Sequence, residues 1–174
     1  DKPEELNKRI PIMTRMVENA LEQLEVLGKP DVPPEGERQW EVNVPIRFKD
    51  GPAGVIGNKG FLDYKYTVTD ELRERAAKQM DLSDVDVLVV DLKTTSKAPS
   101  DWAVNHGVQA AVYEQSVLLE DACIGVQRKR VQVKFLYCLT RQKNPYLWLT
   151  MEDSEEYIKI LCRTIRQMDA FLSL

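Results

Sequence analysis

Apolar positions along this chain repeat at two spacings, three to four residues in some stretches and two in others, and the switching between them predicts an α/β fold. Residues 4 to 27 set Leu6, Ile10, Met13, Val17, Leu21 and Leu24 at helical steps. They predict an amphipathic helix, divided at Pro11 and ended by Gly28 and Pro30. Residues 29 to 38 hold three prolines and read as a loop. From Trp40 to Phe48 apolar and polar residues alternate, the pattern of a strand with one wet face. A glycine-rich turn over 49 to 60 leads into a second strand running from Gly60 to Thr67.

The charged stretch from Thr69 to Asp86 predicts a short helix opened by Thr69 or Asp70, whose side chains can accept from the free amides of a first turn. Val87 to Val90 then form an unbroken apolar run, the mark of a strand buried on both faces, and this third strand extends over 86 to 95. Beyond a loop at 96 to 100, Ser100 or Asp101 opens a helix that runs to about Asp121. A strand from Val131 to Thr140 turns at 141 to 145 into a partner from Tyr146 to Met151. A last helix buries Ile158, Leu161, Ile165, Met168 and Leu172. The expected fold is a single α/β domain with a mixed central sheet flanked by helices, made of an N-terminal helical segment over 1–28 and a core over 39–174.

Composition narrows the function classes. At 174 residues and 43% hydrophobic content the chain can bury one real core. It carries no apolar run of bilayer-spanning length and no secretory leader, so a soluble cytoplasmic protein without membrane contact is expected. Cys123, Cys138 and Cys162 are odd in number and far apart, which argues against a disulfide framework and predicts core thiols. A net charge of −4 gives no broad attraction for nucleic acid, so any such contact must be local. The glycines at 51, 54, 57 and 60 lack the strand-then-helix setting of a phosphate-cradling loop.

The candidate chemistry sits at the end of the third strand. Asp91 and Lys93 share one face there while Leu92 points to the other, so a carboxylate that can hold a divalent cation stands one step from a fixed ammonium. Asp63-Tyr64-Lys65 has the same spacing, as chance allows in a chain that is 30% charged, but no long apolar run precedes it. On the helix that follows, His106, Gln109 and Tyr113 fall at steps of three and four and line one face, looking back at the strand end. For any three such residues alone, a solvated face is the commoner explanation.

Three segments in order, Gly60-Phe61-Leu62-Asp63, Asp91-Leu92-Lys93 and Gln109-Ala110-Ala111-Val112-Tyr113, resemble the motifs of the RecB-like branch of the PD-(D/E)XK nuclease superfamily, over residues 39 to 174. Leu62 stands where the superfamily's name has proline. The resemblance implies a restriction-endonuclease-like core and Mg²⁺- or Mn²⁺-dependent hydrolysis of DNA. Asp63, Asp91 and the main-chain carbonyl of Leu92 would be metal ligands, with Lys93, Gln109 and Tyr113 in catalysis. Glu41 and His106 are further candidate ligands. The cysteine pattern excludes the iron–sulfur cluster of some relatives. Many members are phage or bacterial exonucleases, which implies an end-dependent enzyme of recombination, repair or processing, with recombination or replication proteins as partners. An endonuclease and a non-cutting DNA-binding or protein-interaction module are the alternatives. Lys97, Arg128, Lys129, Arg130, Arg141 and Lys143 are candidate phosphate contacts, and Trp102 a candidate base-stacking residue.

Overall fold

The structure, a computed structural model, describes residues 3–46, 56–99, 103–126, 130–140, 143 and 145–172. At its centre is the run predicted to be buried on both faces: strand β4 (Val87–Thr95) has Val87, Leu88, Val89 and Val90 all fully inaccessible. On one side β4 pairs antiparallel with β3 (Tyr64–Thr67). On the other it pairs parallel with β5 (Val131–Leu139), which pairs antiparallel with the edge strand β6 (Tyr146–Thr150). The sheet is therefore mixed, in the order β3-β4-β5-β6. A parallel pair needs a crossover, and helix α3 (Val104–Cys123) supplies it between β4 and β5.

Alternation along β4 and β5 divides the core between the two faces of the sheet. Leu88 and Val90 with Leu136 pack against α1 (Pro3–Leu27) and α2 (Asp70–Ala76). Val87, Val89 and Phe135 pack against Ala110, Ala111 and Val117 of α3, which α4 (Ser154–Leu172) covers in turn. The predicted start of α2 is as expected: Thr69 Oγ1 accepts from the Leu72 amide at 3.2 Å. A separate hairpin, β1 (Trp40–Ile46) with β2 (Ile56–Leu62), lays Val42 and Leu62 against α3.

Several expectations are corrected. Pro11 does not divide α1, which runs unbroken through it. Its buried stripe is Met16, Ala20, Leu24 and Leu27, whereas Leu6, Ile10, Met13, Val17 and Leu21 are all about half exposed or more. The helix carries apolar residues on two adjoining stripes, and only its C-terminal half meets the sheet. The second strand begins at Ile56 rather than Gly60 and is broken at Asp63, which separates β2 from β3. Helix α3 starts at Val104 with Ala103 at its cap and no side-chain cap bond; Ser100, Asp101 and Trp102 lie outside the described residues. In α4, Met168 is 59% exposed and Ile158, Leu161 and Ile165 are half-buried, because the helix packs against α3 on one side only. Of the three cysteines Cys138 is buried, Cys162 half-buried and Cys123 exposed. Among the described residues no helix is long and apolar enough to cross a membrane.

Candidate active site

Asp91 lies where β4 passes under α3, and it is 3% exposed. Its Oδ2 meets Lys93 Nζ at 2.6 Å, an ion pair set off the ideal hydrogen-bond direction. Gln109 Nε2 donates to its Oδ1 at 3.2 Å. Lys93 also donates to Gln109 Oε1 at 3.0 Å and lies 5.1 Å from the centre of the Phe135 ring. The Gln109 amide is thereby fixed in direction, oxygen toward the ammonium and nitrogen toward the carboxylate; the opposite flip would set N–H against N–H. Gln109 Nε2 also donates to the Tyr113 hydroxyl, which donates to the carbonyl of Phe61 at 2.8 Å. The helical spacing of Gln109 and Tyr113 thus couples α3 to β4 and to β2 at once.

The β3–β4 register pairs Tyr64 with Val90, and one further step sets Asp63 opposite Asp91. The ladder stops there, and Asp63 Oδ2 accepts from the Leu92 amide at 2.9 Å. In a strand the N–H and C=O of one residue face the same neighbour, so the Leu92 carbonyl looks to the edge of β4 that Asp63 occupies. Burial raises the Asp91 carboxyl above the ordinary aspartate range; the Lys93 ammonium opposes this and the charge of Asp63 adds to it. Burial also pushes Tyr113 up to about 12, so its hydroxyl is a neutral hydrogen-bond donor at physiological pH.

Two carboxylates from neighbouring strands and a carbonyl on the same edge are oxygen donors suited to Mg²⁺ or Mn²⁺. Asp91 Oδ2 meets the Lys93 ammonium and accepts no hydrogen bond from another of the described residues. Among the described residues no group of three or more His, Cys, Asp or Glu side chains comes together.

The remaining candidates divide. His106 joins the neighbourhood: its Nδ1 is 2.7 Å from the Tyr137 hydroxyl, and its ring meets Phe135 edge-on at 5.4 Å. Burial, then Lys93, lowers its pKa, and the charge of Asp91 opposes them. Glu41 sits on the outward face of the hairpin, paired with Lys59 at 2.8 Å, while its neighbour Val42 faces α3. Lys65, the lysine of the second Asp-x-Lys, is buried between the Trp40 ring and Glu120, a structural role.

Among the described residues, the basic candidates do not form one patch. Lys97 follows the end of β4, and Lys143 lies between β5 and β6, both at the end of the sheet nearer to Lys93. Arg130 precedes β5 at the opposite end, its amide bonded to Asp86, five residues or about 16 Å along the strand from Phe135. Arg128, Lys129 and Arg141 lie outside the described residues.

Sequence reasoning missed Phe135 and Tyr137, the floor under Lys93 and His106. The period-two face of β5 is visible in the sequence, but its register against β4 is not. No family model matches the chain, and no curated protein does. It is similar to a solved structure described as "Crystal structure of SSO0001" at 12% identity and a TM-score of 0.43. That match covers 95% of this chain, and the chain spans 61% of the other's length.

Proposed function

We propose that this chain is a metal-dependent deoxyribonuclease that hydrolyses DNA phosphodiester bonds, acting from an end. One observation carries the reading. A buried aspartate, bonded to a lysine and a helix-borne glutamine, has a second aspartate tied to the very next residue of its strand. Burying Asp91 costs free energy that an apolar pair at the same place would not.

Asp63, Asp91 and the Leu92 carbonyl would hold Mg²⁺ or Mn²⁺, and the bound ion supplies Lewis-acid polarisation of the phosphate and a more acidic water. Lys93 spends two of its three N–H directions on Asp91 and Gln109. The third is offered to the attacking water and to the charge that grows on the phosphoryl oxygens. Gln109 keeps the ammonium and the carboxylate at fixed spacing, and Tyr113 keeps Gln109 from turning. Phe135 and Tyr137 wall this side of the site.

The test compares end-labelled linear DNA with covalently closed circles, in Mg²⁺ or Mn²⁺ and in EDTA. Linear DNA digested only with metal, with circles intact, is the expected result. Opened circles would turn the reading to an endonuclease. Binding without cutting in either metal would turn it to a non-catalytic module.

A further inference from the structure

Strand β2 presents two exposed side chains, Lys59 and Phe61, that the catalytic arrangement does not use. Lys59, Phe61 and Asp63 are exposed at successive alternate positions, while Leu62 between them is 1% exposed. Side chains two apart on a strand share a face and lie about 6.6 Å apart. Lys59 and Phe61 therefore share one face of β2, and the candidate metal carboxylate Asp63 follows two residues on, at the break between β2 and β3.

Phe61 is 47% exposed, although burying such a ring is strongly favourable. It cannot turn inward. Its backbone is held by the ladder to Glu41 and by the Tyr113 hydroxyl on its own carbonyl, 2.8 Å away. Behind it, a Cβ at Gly60 would come 3.2 Å from Val42 and 3.5 Å from Tyr113, so the hairpin already sits close on α3. Lys59 Nζ is 5.8 Å from the centre of the Phe61 ring and is steered by Glu41.

We propose that Phe61 is a stacking platform for an unpaired nucleobase next to the scissile phosphate, with Lys59 meeting the neighbouring phosphate, so that the site takes single-stranded or frayed ends. This rests on the nuclease reading of Asp63 and Asp91. Every base has a π face, and stacking on an aromatic side chain holds single strands without regard to sequence. A base inside a duplex has both faces covered and cannot use the platform.

The experiment uses the whole chain with a single-stranded oligonucleotide carrying 2-aminopurine and with a blunt duplex of the same sequence. Binding is read by fluorescence in EDTA, and cleavage by gel in Mg²⁺. Phe61→Ala should weaken single-strand binding and raise KM on the single strand about tenfold, with a smaller fall in kcat; Phe61→Trp should restore both. Wild-type protein should prefer the single strand. Unchanged binding and KM in Phe61→Ala, in an enzyme that still cuts, would overturn the platform and leave the nuclease. Fluorescence lost in Phe61→Ala, in a wild-type chain that binds but never cuts, would overturn the nuclease and leave the platform. A chain that neither binds nor cuts overturns both.

Discussion

Burial and the Lys93 charge pull on Asp91 in opposite directions, and burial is the stronger. Without metal, the folded chain therefore keeps the Asp91 proton to a higher pH than the unfolded chain does. This contribution to stability is full below the ordinary aspartate range. It is lost as pH rises through the raised value, and is level above it. Asp91→Asn should flatten that part of the profile in thermal melts taken across acid pH, while lowering cleavage by a factor of about 10² or more. Superimposable melting profiles for the two proteins would show that Asp91 is not held above its ordinary range. At this scale the sequence was informative where chemistry is local. Asp91, Lys93, Gln109 and Tyr113 could be named from strand and helix periodicity, and they do meet. The bonds of Tyr113 to Phe61 and of His106 to Tyr137 could not, because they depend on which strands become neighbours.

Among the elements, α3 and α1 make contrasting cases. Gly107 lies inside α3, where glycine costs roughly 0.5–1 kcal/mol relative to alanine. The reason is a neighbour: a Cβ there would collide with the Tyr157 ring of α4. Gly107→Ala should therefore destabilise despite its better helix propensity, by about 1–3 kcal/mol, seen as a lower urea midpoint with an unchanged m-value. In α1 the pattern predicted the helix correctly but not its buried face. Periodicity locates an apolar stripe, and when a helix has two, only the sheet decides between them. Leu27, 1% exposed, should cost about 2–5 kcal/mol on replacement by alanine. Leu21, 60% exposed, should change stability by less than about 0.5 kcal/mol on replacement by glutamine. Equal losses at the two positions would contradict the observed orientation of α1. The strand order was legible in part. The apolar run of β4 marks a central strand, but nothing local announces that the β2–β3 strand breaks at Asp63, since the break exists only against β4.

For the whole molecule, the sheet separates the candidate residues by end. The candidate site, Lys97 and Lys143 lie toward one end of the parallel pair, and Arg130 lies at the other. With a net charge of −4, the protein has little long-range pull on DNA. A plot of log affinity against log salt concentration should be shallow, with a slope of about −2 for three phosphates met by a single strand. A slope steeper than about −5 would mean that a wide basic surface takes part. The measurement that bears most directly on the central claim is single-turnover cleavage of end-labelled DNA in Mg²⁺ by the wild-type chain and by Lys93→Ala, with EDTA as control. The expected result is metal-dependent product from the wild type and a rate lowered by a factor of about 10² or more in the variant. Digestion that persists in EDTA, or that proceeds at the full rate without the Lys93 ammonium, would contradict it.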